Sequence, residues 1–175
     1  MLGIDPYYTG MTEPQNGIVF QPIGVIHTPF KTAEGTPIQP RRAEGARGVV
    51  EVYPEYREGL ADLSGFSHVV LIYHCHMCRG YELKVIPYLD TQLRGLFATR
   101  APRRPNPIGL SIVQLDSVEP TGLKVSGVDI IDGTPLLDIK PYVPEFDHMP
   151  DCRVGWLSEV VKDSRDKSAD DRFHK

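Results

Sequence analysis

The hydrophobic positions of this chain fall in short runs, several of which alternate with polar positions. From Ser111 to Val118 the alternation has a period of two, which is typical of a strand with one buried face. From Val69 to Tyr73 the run is continuously apolar and predicts a strand buried on both faces. Together, the strand-like runs cover residues 18–27, 48–53, 66–76, 83–86, 93–99, 109–118, 122–131 and 136–143.

Turn signals separate these runs, and helical spacing is rare. Residues 54–63 begin with proline and carry apolar residues at helical spacing, which predicts a helix. The Asp132-Gly133 pair between apolar residues predicts a hairpin over residues 130–137. Many short strands with few helices favour a fold that is mainly all-β: a closed or nearly closed β-barrel with one or two short helices.

The chain of 175 residues is long enough for one domain with a sizeable core. We expect residues 1–17 to be a loose N-terminal extension, residues 18–145 the barrel domain, and residues 146–175 a tail or short helix. No apolar run is long enough to span a membrane, and the N-terminus does not resemble a secretory signal. Three cysteines do not suggest a disulfide framework, so a cytoplasmic location is expected.

The strongest candidate for chemistry is a loop rich in arginine and proline, residues 97–111, which we call the arginine loop. The net charge of −4 argues against nucleic-acid binding through overall charge, but residues 91–115 contain four arginines and no acidic residue. Pro102, Pro105 and Pro107 restrict the backbone. Arginines held on a stiff loop suit a carboxylate or phosphate. The simpler interpretation is a connection with solvated arginines.

Two further segments carry reactive side chains. Asp138, Lys140 and Tyr142 lie two apart, so on a strand they share one face and could handle a proton; a satisfied Asp–Lys pair is the simpler interpretation. The segment from Tyr73 to Cys78 contains a Cys-x-x-Cys, but a second pair of metal ligands at suitable spacing is missing, so no metal site is predicted. Fingerprints of Rossmann folds, P-loops, zinc proteases and serine hydrolases are absent from the sequence.

The arginine loop carries a resemblance to a known family. The stretch Phe97-Ala-Thr-Arg-Ala-Pro-Arg-Arg-Pro-Asn-Pro-Ile-Gly-Leu-Ser111 resembles the TsaA/TrmO-like proteins, which have serine where this chain has Ala101. Residues 21–30, 66–68 and 128–142 continue the likeness. The resemblance implies an S-adenosylmethionine-dependent methyltransferase that acts as a homodimer, with the cofactor near the subunit interface. It also implies N6-methylation of threonylcarbamoyladenosine at position 37 of tRNA, beside the anticodon.

The resemblance further implies roles for individual residues. It strengthens Asp138, Lys140 and Tyr142 as the candidate catalytic residues. Arg103, Arg104 and Asn106 are expected from their own chemistry to bind the substrate, the arginines through its carboxylate or a phosphate of the tRNA anticodon loop. The residues expected to bind the cofactor are Pro40, Arg41, Arg42, His76, Met77, Arg100, Leu110, Ser126, Gly127, Val128 and Asp129. The resemblance also implies a further C-terminal domain in bacterial family members, which we expect to be missing after the barrel domain of this chain.

Three alternatives stay open at this point. The barrel could act on a different acceptor, or it could bind S-adenosylmethionine as a sensor without catalysis. A metal or redox protein built on Cys75 and Cys78 is the third.

Overall fold

Six antiparallel strands close into a barrel. In the computed structural model, the structure describes residues 18–34, 36, 45–160 and 173. These residues form strands β1 Gly24–His27, β2 Arg47–Val52, β3 His68–His74, β4 Lys84–Val85, β5 Arg94–Gly95, β6 Ile108–Glu119, β7 Gly122–Ser126 and β8 Thr134–Pro141. The order around the barrel is β1-β2-β7-β6-β3-β8, and β8 pairs back onto β1. The predicted β-barrel is therefore confirmed.

The barrel is filled by aliphatic side chains from alternate positions of its strands. Val50 and Val52 of β2 and Val69 and Leu71 of β3 are almost fully buried, as every second residue of a strand should be when one face lines the core. Val70 between them and Ile72 after them are only half-buried. The prediction that β3 is buried on both faces was therefore wrong, since its outer face is a wall of the barrel.

Short helices lie outside the barrel. The predicted helix over residues 54–63 is instead two 3₁₀-helices, Pro54–Leu60 and Leu63–Gly65. The chain breaks between them at Asp62, whose φ of 65° is incompatible with a continuous α-helix. Two single-turn α-helices, α1 Pro144–Asp147 and α2 Leu157–Val160, follow the last strand. None of the helices in the described part of the chain is long and apolar enough to cross a membrane.

The predicted hairpin over residues 130–137 is wrong. Asp132 and Gly133 do form a turn, in which Gly133 has a φ of 75°. However, β7 pairs with β2 and β6, whereas β8 pairs with β1 and β3. The turn at Asp132-Gly133 therefore leads the chain across the barrel end. A hairpin with a two-residue turn does occur, but at Pro120-Thr121, between β6 and β7.

Two predicted strands lie outside the barrel. Strands β4 and β5 form a separate two-stranded sheet, and a 3₁₀-helix, Leu96–Ala98, replaces the rest of the strand predicted over residues 93–99. A small second core of Val85, Leu96, Ala101 and Phe173 packs this unit together.

One end of the barrel, which we call the mouth, collects the loops of interest. The register places the C-terminal ends of β1 and β3 beside the N-terminal end of β8, because Ile26 pairs with Thr134 and Tyr73 with Leu136. Residues 127–133 cross this end. They are held there by hydrogen bonds from Gly127 N to Ala46 O and from Gly133 N to Ile26 O, both 2.9 Å.

Gly109 is required where β6 passes the ring of Tyr73. A Cβ atom at Gly109 would lie 2.1 Å from the ring of Tyr73, its partner in the β3–β6 ladder. We expect Gly109→Ala to lower the free energy of unfolding by at least about 2 kcal/mol, because a rigid ring and a strand backbone cannot easily move apart. Urea denaturation measures this change. Gly59→Ala is the control, since a Cβ there meets nothing within 4 Å, and equal losses in the two variants would contradict the prediction.

Candidate active site at the barrel mouth

A chain of hydrogen bonds links three side chains at the mouth. The Ser111 hydroxyl donates to Asp129 Oδ1 at 2.7 Å, and Tyr73 OH lies 3.0 Å from Ser111 Oγ. Ser111 is almost fully buried, because it occupies an inward-facing position of β6. The mouth is therefore polar at a depth where most barrel positions are aliphatic.

Burial perturbs the acids of this network. Desolvation raises the pKa of Asp129 to about 6, against the opposing effects of the Ser111 hydrogen bond and the charge of Arg100. Burial, together with the nearby Asp129 carboxylate, also raises the pKa of Tyr73 far above its ordinary value. A carboxylate whose charge is poorly solvated favours a cation as its neighbour.

Arg100 is exposed, and its charge acts on both Asp129 and Tyr73. It therefore brings a guanidinium group to the same end of the barrel as the Asp129 carboxylate. Of the residues expected to bind the cofactor, Arg100 and Asp129 are brought together by the fold.

Arg104 is occupied within the arginine loop itself. Its Nη1 donates to Thr99 O at 3.0 Å, to Ala101 O at 3.3 Å and to Leu96 O at 3.4 Å. Its guanidinium also lies 5.6 Å from the ring centre of Phe97. These contacts hold the first half of the loop together, a role that the sequence interpretation did not foresee.

Arg103 points to a different side of the loop. It lines a cavity of about 260 Å³ with Lys84 and Phe173. It also lies beside Gly80, where an added Cβ atom would be 3.8 Å from Arg103 Nη2. Among the groups that the structure describes, Arg103 Nε is buried without a hydrogen-bond partner. Asn106 is exposed near the end of the loop. Substrate binding by these residues and by Arg104 stays a prediction.

The segment 126–129 does not form one surface. Ser126 donates to Asp116 on the outside of the barrel. Gly127 has a φ of 78°, which turns the chain inward, and Val128 is fully buried in the core. Of these four residues, Asp129 alone joins the hydrogen-bond network of the mouth as described by the structure.

The Tyr73–Cys78 segment follows β3 over the mouth. Cys75 N donates to Pro107 O at 2.7 Å, which ties the segment to the end of the arginine loop. His76 Nδ1 lies 3.3 Å from Thr134 Oγ1, and Met77 is half exposed. Burial and the neighbouring Cys78 raise the pKa of Cys75 to about 12. Nowhere in the described ranges do three or more His, Cys, Asp or Glu side chains gather to hold a metal ion.

The other predicted residues lie on the outer wall of the barrel. Leu110, Ile72 and Asp138 occupy neighbouring positions of β6, β3 and β8. Lys140 Nζ lies 2.7 Å from Asp138 Oδ2 in an exposed pair. The Tyr142 ring packs edge-on against His68, with ring centres 6.4 Å apart. The shared wall therefore brings Leu110 close to the candidate catalytic residues.

Two members of the mouth network were missed from the sequence. The sequence predicts that Tyr73 and Ser111 lie in strands but indicates no role for either. The sequence did contain a signal for Ser111. Ser111 lies two positions before Val113 in an alternating strand, so its side chain faces the buried side of β6. No comparable signal identified Tyr73. Pro40, Arg41 and Arg42, expected to bind the cofactor, lie outside the described residues.

These observations define a class of protein: an antiparallel barrel that presents a carboxylate and a guanidinium at its mouth, suited to a small ligand carrying both charges. Comparison with known proteins gives the family. Residues 25–148 match the tRNA-methyltransferase O N-terminal domain, and the chain belongs to this family. The resemblance inferred from the arginine loop is confirmed.

Relatives of two kinds match the chain. A probable S-adenosyl-L-methionine-binding protein of Pyrococcus abyssi is 51% identical over 89% of this chain and 85% of its own length. The tRNA (adenine(37)-N6)-methyltransferase of Escherichia coli is 37% identical over 81% of this chain. A crystal structure of TrmO from Pseudomonas aeruginosa, 41% identical, superposes with a TM-score of 0.69 over 79% of this chain. The first name specifies S-adenosylmethionine and the second a methyl transfer, so the prediction of this cofactor and of this class of reaction is confirmed for the family.

The chain spans 64% of the length of the Escherichia coli enzyme and 62% of the Pseudomonas aeruginosa structure. The family match over residues 25–148 covers the strands of the barrel almost completely. It therefore contains every element that forms the mouth.

Asp129 should make stability depend on pH. Its pKa of about 6 lies above the value of about 3.9 for a free Asp, so the folded state binds the proton more tightly than the unfolded state. This contribution is fully present below about pH 4 and is lost as the pH rises through about 6. In Asp129→Asn the amide oxygen can still accept from Ser111, so we expect stability at pH 7.5 to rise by on the order of 2–3 kcal/mol, with little change at pH 4.

Urea denaturation at both pH values measures the effect. Asp151→Asn, at an exposed position, is the control and should behave like the unmodified chain. A variant at Asp129 that is equally destabilised at both pH values would contradict the assignment.

Proposed function

We propose that this chain is an S-adenosylmethionine-dependent methyltransferase that methylates N6 of threonylcarbamoyladenosine at position 37 of tRNA. Family membership supports the reaction class, and the name of the Escherichia coli relative supports the position on the RNA. The structural observation that supports it most is the pairing of a desolvated Asp129 with an exposed Arg100 at the mouth.

The charges at the mouth fit the proposed cofactor. When bound, S-adenosylmethionine supplies an activated methyl group on a positively charged sulfur. Asp129 offers the negative charge that such a cation needs, and Ser111 fixes the orientation of the carboxylate. The exposed guanidinium of Arg100 can bind a carboxylate with two parallel hydrogen bonds. Methyl transfer by in-line displacement needs chiefly correct positioning, which a closed barrel and a rigid loop supply.

The outer wall is the proposed place of the acceptor. Asp138 would accept the proton from the acceptor nitrogen, and Lys140, 2.7 Å away, would hold its carboxylate in place. Tyr142 packs beside His68 at the far end of the same wall, so it would contact a part of the RNA away from the reacting nitrogen. Arg103 is the better candidate of the two loop arginines for the substrate's anionic group, because Arg104 Nη1 already serves the loop.

A homodimer is part of the proposal. The outward face of β6 presents Ile108, Leu110 and Ile112, which are 41%, 49% and 38% exposed. A strand facing water on that side normally carries polar residues. A second copy of the chain would cover this apolar stripe and enclose the wall that holds Leu110 and Asp138. We also place the activity in the cytoplasm, which the three free cysteines fit.

A second candidate is an S-adenosylmethionine sensor without catalysis. The relatives that this chain covers most completely support it, since an Archaeoglobus fulgidus protein of which the chain spans 93% is named for binding the cofactor and not for a reaction. The two functions differ in methyl transfer and share cofactor binding.

Methyl transfer to RNA tests the proposal. The chain should incorporate labelled methyl groups from S-adenosylmethionine into tRNA that carries threonylcarbamoyladenosine, and not into tRNA lacking it. Nucleoside analysis identifies the product. Cofactor binding by calorimetry without incorporation would favour the sensor instead.

Asp138 is predicted to act on the acceptor and not on the cofactor. Asp138→Asn should lower kcat by about 100-fold or more, as for loss of a general base, with the Kd for S-adenosylmethionine within about twofold. Asp151→Asn serves as the control. Unchanged turnover would show that another group takes the proton.

The apolar stripe is predicted to be the dimer contact. Ile112→Glu should convert the dimer to a monomer in light scattering, because a charge would be buried without a partner. Val49→Glu is the matched control, an exposed valine on β2, which is not a neighbour of β6. Dissociation by both variants, or by neither, would reject this face as the interface.

A further inference from the structure

A tryptophan beyond the family domain contacts the arginine loop. The indole N–H of Trp156 donates to Ala98 O at 2.9 Å. The guanidinium of Arg94 lies 5.2 Å from the centre of the same ring, and Asp90 Oδ2 holds Arg94 Nε at 2.6 Å. Residue 156 follows the matched region, which ends at residue 148. Trp156 is the single tryptophan of the chain.

A phenylalanine near the end of the chain contacts the same loop. Phe173 is 5% exposed and packs in the small core with Val85, Leu96 and Ala101. Its ring also meets that of Tyr88 edge-on, with centres 5.0 Å apart. Trp156 and Phe173 therefore both pack against residues 96–101, and both come from outside the family domain.

Residues 96–101 need such support more than the rest of the loop. The three prolines that stiffen the loop begin at Pro102, so they restrict the second half and leave the first half without such a restraint. Arg104 bridges the carbonyls of Leu96 and Thr99 from one side. Trp156 binds the intervening carbonyl of Ala98. Arg100 is exposed and extends from this half of the loop.

We propose that Trp156 and Phe173 form an aromatic clamp that positions Arg100 for the cofactor. They are positioning residues, since they act through residues 96–101 and do not touch the reacting groups. Loss of the clamp lowers the fraction of molecules in which Arg100 lies near Asp129, and the apparent Kd rises in inverse proportion to that fraction. This inference rests on the proposed function, because it assumes that Arg100 binds the cofactor.

Trp156→Phe tests the clamp at one hydrogen bond. The variant keeps an aromatic ring for Arg94, although a smaller one, and removes the N–H that Ala98 O accepts. Loss of one hydrogen bond should raise the Kd for S-adenosylmethionine by about 3- to 10-fold. The kcat at saturating cofactor should stay within about twofold, because cofactor binding then selects the positioned loop. Amide hydrogen exchange in residues 96–101 should become faster.

Phe173→Ala should likewise raise the Kd for S-adenosylmethionine and speed up amide exchange in residues 96–101. Phe173→Leu should recover most of the affinity and of the slow exchange, because leucine refills the small core. Val154→Ala is the matched control: it lies two residues from Trp156, and its side chain is half exposed. All variants are made in the full chain, and their melting temperatures are compared with that of the unmodified protein.

The outcomes separate the two proposals. Faster exchange in residues 96–101 with weaker cofactor binding supports the clamp. Unchanged exchange and Kd in both Trp156→Phe and Phe173→Ala would overturn it, as would an equal change in Val154→Ala. If the unmodified chain does not bind S-adenosylmethionine, the proposed function fails, while exchange in residues 96–101 still reports whether the two aromatic residues hold the loop.

Discussion

The pairing of β8 with both β1 and β3 closes the barrel, and the mouth exists only because of this closure. It brings Thr134 beside Ile26 and Leu136 beside Tyr73, so the ends of strands far apart in sequence meet. It also forces residues 127–133 across the barrel end, which places Asp129 over Ser111. An open sheet would leave Asp129 in solvent with an ordinary affinity for protons.

The buried carboxylate of Asp129 lowers the stability of the folded protein at the mouth. Burial of Asp129 disfavours its charge, and the carboxylate is kept in place by the hydroxyl of Ser111 and by the surrounding fold. Functional groups with perturbed pKa values often lie where folding alone would prefer an apolar residue. The aliphatic core of the barrel supplies the stability that this arrangement requires.

The arginine loop combines two sources of rigidity. Prolines fix its second half through covalent geometry, whereas its first half depends on contacts with Arg104, Trp156 and Phe173. The three arginines lie in different surroundings: the charge of Arg100 acts on Asp129 and Tyr73 at the mouth, Arg103 lines a small cavity, and Arg104 donates hydrogen bonds within the loop.

The sequence by itself determined the β-barrel class, the arginine loop and the family, because alternation, proline spacing and a long motif are local properties of the chain. It also predicted that Asp138 and Lys140 share a face, which follows from the period of a strand. It could not determine which strands pair, so Asp132-Gly133 was interpreted as a hairpin although β7 and β8 are not neighbours. Nor could it show that Tyr73 and Ser111 meet Asp129, or that Trp156 reaches Ala98, 58 residues away. Those contacts join distant segments, and only the closed tertiary structure brings such segments within reach of each other.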